Sequence, residues 1–176
     1  MTKPEFRFTD PTVNEFKDWW IKNGAPIRPP FKDAVFFTEV AQALVLYRQG
    51  IFQVELYMVK PNTSAPSHTH PGVDSCLMYL TGNLEFGDEN GKFENLQGMQ
   101  HAKADGSHFL LGQNRSLGAI SHSLRCGKEG GAFLSFEKWN NGNPTSVAEN
   151  WEGPPVGKEH AKIKISRMEI CKDKKS

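Results

Sequence analysis

The chain has 176 residues, 21 Lys and Arg against 20 Asp and Glu, and a net charge of +1 with its histidines neutral. That length suits one domain with a substantial core, and that charge gives no ground for a nucleic-acid or acidic-membrane partner. No apolar run approaches a membrane span, the start MTKPEFRFTDP lacks the apolar centre of a signal peptide, and Cys76, Cys126 and Cys171 show no CxxC spacing. Free thiols in a reducing, cytoplasmic compartment are the expectation.

The first element in TDPTVNEFKDWWIKNG is a helix. Asp10 can cap it, Pro11 fits its first turn and Gly24 can end it. Val13, Phe16, Trp20 and Ile21 fall on one face, which would pack against the main domain or serve as an oligomer contact. Pro26, Pro29 and Pro30 then make an extended connector.

From Val35 the texture is β: VFFTEV, ALVLYRQG, FQVELYMVKP, SCLMYLTG, NLEFGDENG, KFENLQ, SHFLLG, SHSLRCG and AFLSFEKW. GDENGK is a hairpin turn signal, and many short strands at close spacing argue a sandwich or barrel. The segment PTSVAENWEGPPVG is irregular, AKIKISRMEI can form a last strand, and CKDKKS would fray. The resulting division is an N-terminal helix and arm over 1–34, a barrel over 35–140 and a C-terminal extension over 141–176.

The chemistry concentrates in HTHPGVDSCLMYLTG, residues 68–82. Residues two apart on a strand face one side, so His68 and His70, if extended, can grip one metal ion. Pro66 favours extended backbone before them, and Pro71 with Gly72 marks a turn after. A pair of surface-loop histidines is the competing reading of HxH alone.

The longer segment PSHTHPGVDSCLMYLTGNLEF resembles the first motif of the cupin superfamily, in which HxH is followed after three or four residues by Glu, then six residues, then Gly. His68, His70 and Gly82 match; the glutamate does not. Counting back from Gly82 reaches Ser75, and counting forward from His70 reaches Asp74. Only one of two adjacent strand residues can face a metal, and the count along the regular strand favours Ser75 inside, with Asp74 as the alternative ligand. The family's second motif is degraded here. Gly106, Gly112 and Asn114 keep the spacing of a tight turn, RSLGAIS intervenes before His122, and Cys126 replaces a later asparagine. HSLRCGKEGGAFLSFEKW is similar to the closing strands of many small cupins, with a Gly-Gly turn, and the resemblance spans roughly residues 50–139.

The resemblance implies an all-β fold, a single jelly-roll cupin barrel with a short N-terminal helix and extended arm, often a homodimer. It implies a site of His68, His70 and His122, with Asp74 as a possible fourth ligand, holding a divalent metal. Fe2+ is favoured, with Zn2+, Mn2+, Ni2+ or Cu2+ as alternatives. Three neutral imidazoles would leave the cation its full charge and room for water, a small-molecule substrate or dioxygen. The first functional expectation is a metal-dependent (di)oxygenase, with thiol-oxidising three-histidine cupins as the nearest chemical analogy. The rivals are a non-enzymatic ligand-binding or structural cupin and a metal-dependent lyase or isomerase with proton transfer by Tyr79 or His108. Tyr79 shares strand parity with Ser75; its dull reading is core packing. His108 is a candidate acid or base or a rim histidine, and His101 and His160 read as exposed. Gln53, Glu55 and Tyr57 share one strand face, turned to the pocket or to solvent, and Arg125 could pair with a substrate carboxylate. Cys76 should point opposite Ser75.

Overall fold

The computed structural model describes residues 11–29, 35–98, 109–111, 121–140, 142, 144–146 and 149–161. Asp10, the arm before it, His101, Gly106, His108, Gly112, Asn114, most of AKIKISRMEI and the tail CKDKKS lie outside the described residues.

The helix α1 spans Val13–Lys22. Its cap is Thr12, not Asp10: the Thr12 hydroxyl accepts from Glu15 N, and the Glu15 carboxylate accepts from Thr12 N at 2.7 Å. This reciprocal capping box satisfies two N-terminal donors, and Gly24 follows the helix at φ +75°. Val13, Phe16 and Trp20 are buried, but Ile21 is 45% exposed, one position past the edge of the apolar stripe.

Among the described residues eight strands follow: β1 Val35–Phe37, β2 Ala41–Gln49, β3 Phe52–Val59, β4 Ser64–His68, β5 Val73–Gly87, β6 Phe93–Asn95, β7 Phe109–Leu111 and β8 His122–Trp139. All their pairings are antiparallel, and the fold is an all-β jelly roll. The main path runs β1-β2-β3-β8-β5-β6, with β4 beside β8 and β7 beside β5. The GDENGK turn is present between β5 and β6, with Asp88 Oδ1 accepting from Asn90 N and Lys92 N.

Two sequence runs expected to be pairs of strands are single long ones. SCLMYLTG and NLEFG merge into β5, and SHSLRCG and AFLSFEKW merge into β8, so Gly130-Gly131 is not a turn. These two strands cross closely at a glycine contact. Gly82 faces Gly131, and a Cβ on Gly82 would stand 2.1 Å from Gly130 O. Gly82 also has φ +88°. With register shifts on both sides of Gly82, the glycines let each strand bend and continue in place of ending.

The sheet is buried on both faces. One face forms the interior cluster, including Ala43, Tyr57, Leu77, Leu84, Phe86, Leu124, Phe133 and Trp139. The other meets α1, where Phe16 and Trp20 pack on Tyr47, Phe52, Cys76, Leu134 and Phe136. Phe16 and Phe52 rings lie 5.0 Å apart, and Trp20 meets Phe136 edge-on at 5.5 Å. Cys76 therefore points to the helix side. A bulge between Val45 and Tyr47 reverses the parity of β2: Ala41 and Ala43 face the interior, whereas Tyr47 reaches the helix side.

Candidate metal centre

His68 ends β4, His122 begins β8, and the two are cross-strand partners. His70 follows two residues after His68. The ligating atoms of His68, His70 and His122 all lie within 4.8 Å of one another, and all three residues are buried. The rings are separated by 4.3 Å for His68 and His122, 4.9 Å for His68 and His70, and 5.1 Å for His70 and His122.

The fit to a metal rests on the state of the rings. His68 Nδ1 lies 2.7 Å from Pro66 O, and His70 Nδ1 lies 2.7 Å from Asn150 O. A carbonyl only accepts, so each Nδ1 carries its hydrogen, and the neutral ring keeps its lone pair on Nε2. Burial, then His122, then His70 push the His68 pKa far below its usual value. The ring is thus neutral at neutral pH, as a ligand must be. The donor set fits a divalent transition metal.

A cavity of about 80 Å³ lies against the three histidines. By the space one water needs, it holds roughly five to eight waters, or one small molecule of few heavy atoms. Ser75, Ser135, Tyr57, Trp151 and His160 line it along with apolar Ala43, Leu77, Phe86, Leu124 and Phe133. No charged side chain is among its described lining residues.

Ser75 thus faces the cavity. Asp74 is a correction to the alternative ligand set: it stands opposite Lys138, is absent from the cavity wall and is not a member of the histidine cluster. The reason is pleat alternation, which gives Asp74 the parity of Cys76 on the helix side. Tyr79 is corrected as well. It packs on the interior cluster, but its hydroxyl donates to Gly82 O at 3.2 Å and it does not line the cavity. Its parity with Ser75 holds through the unbroken register to Tyr79, but the ring is spent on interior packing. Arg125 is exposed, pairs with Glu85 at 3.2 Å and lies over the Phe93 ring at 3.6 Å, so it is a surface group.

His160 is fully buried, against expectation. Residues 149–161 pack against the His68–Pro71 segment. Thr69 and Glu152 exchange two backbone hydrogen bonds of 2.9 Å, and Asn150 Nδ2 donates to Pro71 O. This places Trp151 flat against His68, with centroids 3.4 Å apart and planes 8° apart. His160 meets Trp151 edge-on, and its Nδ1 accepts from Val156 N. Nothing in the irregular NWEGPPVGKEH announces this placement, because the partners lie some 80 residues away in sequence. Glu55 and Gln53 are also fully buried, while Tyr57 reaches the cavity wall; their shared strand parity was the available signal.

Fold and site together define a jelly-roll barrel with a three-histidine centre. Similar solved structures are double-stranded β-helix and cupin proteins. A double-stranded β-helix domain protein from Klebsiella pneumoniae is 16% identical, with 79% of this chain and 95% of that chain covered and a TM-score of 0.43. An RmlC-like cupin from Shewanella frigidimarina is 10% identical, covering 64% and 90%, at 0.46. The DMSP lyase DddQ from Ruegeria pomeroyi is 14% identical, covering 83% and 73%, at 0.47. At these identities and scores the likeness says nothing of substrate or reaction. No protein-family model and no curated protein matches the chain.

Proposed function

We propose that this chain is a metal-dependent enzyme in which His68, His70 and His122 hold a divalent cation, with Fe2+ favoured, and that it oxygenates a small molecule in the adjoining cavity. The observation that supports this reading is a neutral three-imidazole set on the wall of a small cavity with no charged lining residue. When bound, the cation supplies Lewis acidity and, as iron, one-electron chemistry toward dioxygen. The chain's own residues do the rest. Pro66 O and Asn150 O fix the tautomers of His68 and His70. Trp151 holds the His68 ring from one side. The apolar wall limits water and admits only a small ligand, and Ser75, where a carboxylate would add charge, keeps the site neutral.

The test is metal analysis of protein purified without added metal, followed by oxygen consumption of iron-loaded and zinc-loaded protein across small thiols and hydroxy acids. Iron-specific oxygen uptake supports the oxygenase. A second reading, a metal-dependent lyase or isomerase, is favoured by the hydroxyl-bearing residues Tyr57 and Ser135 in the cavity wall, which suit proton transfer. Turnover that persists without oxygen and with zinc selects it and removes the first.

A further inference from the structure

Two carboxyl groups inside the barrel take no part in holding a metal. Glu55 on β3 and Glu137 on β8 are both 0% exposed. They sit on adjacent strands, with Glu55 opposite Ser135 and Glu137 opposite Gln53. The Tyr57 hydroxyl donates to Glu55 Oε2 at 2.5 Å. Trp139 Nε1 and Gln53 Nε2 donate to Glu137 Oε2 at 2.8 and 3.1 Å, and the Ser135 hydroxyl also bonds Glu137. The two carboxyl groups stand diagonally across the β3–β8 pair, buried together, and each acts on the other's charge. Two ionised carboxylates can only accept and repel each other, so a proton on one of them relieves the pair.

Charge balance leads to the same state. Arg48, half-buried, donates through Nε to Gln53 Oε1 at 2.6 Å and through a terminal nitrogen to Thr145 O at 2.9 Å. It is the cation acting on both carboxyl groups, and Glu149 acts on it from the C-terminal segment. One proton on the pair halves the buried negative charge that Arg48 has to offset. Two anions side by side without water would cost several kcal/mol. Burial, then the Glu55 charge, push the Glu137 carboxyl well above the usual carboxylate range.

The pair stands one side chain back from the cavity. Tyr57 and Ser135, each bonded to one of the two carboxyl groups, both line it. Tyr57 is held flat against Phe133, with centroids 5.0 Å apart, and Ser146 also bonds its hydroxyl.

We propose that Glu55 and Glu137 share a single proton and act through Tyr57 as the base for a ligand in the metal cavity. This rests on reading that cavity as the ligand site. As the ligand X–H bond breaks, its electron pair stays on X and its proton goes to the Tyr57 oxygen. The proton already on Tyr57 passes to Glu55, and the pair changes from one proton to two. The reverse transfer restores the starting state. The ligand class is a small neutral molecule with a weakly acidic thiol or hydroxyl. No Lys or Arg is among the described lining residues, so a bound metal would balance the anion formed.

The experiment is infrared spectroscopy of the metal-free full chain near neutral pH, reading the C=O band of a protonated carboxyl group. The wild type should show one such band. Glu55→Gln and Glu137→Gln should each remove it, because the amide donates where the shared proton did. Transfer into deuterated water should downshift the band quickly in the wild type, and roughly tenfold or more slowly in the Tyr57→Phe, Ser135→Ala double variant. Absence of the band in the wild type overturns the proposal, and that reading needs no variant to fold. A band that survives in both Gln variants, or exchange unchanged in the double variant, overturns it too. Failure of the metal reading appears instead as missing metal content and leaves the band in place.

Discussion

A histidine becomes a metal ligand only if it is neutral, aimed and close to its fellows. His68 and His70 are aimed by carbonyls of Pro66 and Asn150, and His122 is brought in as the cross-strand partner of His68. His68→Ala, His70→Ala and His122→Ala should therefore each cut bound metal to a small fraction of wild type, as elemental analysis would read. Full occupancy in His122→Ala would remove β8 from the site. Ser75→Glu introduces a carboxylate on the cavity side and should tighten metal binding about tenfold or more, worth at least ~1.4 kcal/mol. Asp74→Asn, on the helix side, should leave affinity unchanged; a competition titration with a chelator distinguishes the two. HxH could be read from the sequence because strand parity is a local rule. The Ser75 side followed from counting along one strand. Trp151, His160 and Glu137 could not be read that way: each meets the site through contacts between distant segments that no short pattern encodes.

At the scale of elements, the long strands β5 and β8 depend on residues that look like breaks. Gly82→Ala forces a Cβ toward Gly130 O at 2.1 Å and an L side chain into φ +88°, where the backbone cost alone is roughly 1–2 kcal/mol. The unfolding free energy from urea denaturation should fall by at least that much, and an unchanged value would mean the crossing can open freely. Here the sequence misleads for a physical reason. Glycine marks turns and close backbone crossings alike, and only the partner strand decides which, so Gly130-Gly131 reads as a turn until β5 is placed against it. The helix was easier, since Val13, Phe16 and Trp20 repeat at helical spacing. Its cap shifted from Asp10 to Thr12 because the capping box also needs Glu15 three residues on. Phe16 touches Phe52, Tyr47 and Phe136, and Phe16→Ala should cost about 3–5 kcal/mol in the same denaturation experiment. A loss under 1 kcal/mol would show that α1 only rests on the sheet.

For the whole molecule, two buried titrating groups with opposite shifts set the pH range in which the metal-free barrel is most stable. The His68 value is depressed by burial, then by His122 and His70. Below the unfolded histidine value of 6.5, the unfolded chain binds a proton that the folded chain refuses, so stability falls as pH falls. Glu137 has the opposite sign. Its folded value is raised by burial and then by Glu55, so above the unfolded value of 4.5 the folded chain keeps a proton that the unfolded chain has lost. Stability then falls as pH rises. Each group contributes a slope of about 1.4 kcal/mol per pH unit while only one of the two states is protonated. Between the two unfolded values, 4.5 and 6.5, the two slopes oppose, so His68 governs the acid limb and Glu137 the alkaline one. Glu137→Gln removes the shared titration and should flatten the alkaline limb while leaving the acid limb. Urea denaturation of both proteins across this range, after chelator treatment, reads the difference directly. Parallel alkaline limbs in wild type and Glu137→Gln would mean that Glu137 is ionised in the folded barrel, and the acid pair would lose its basis.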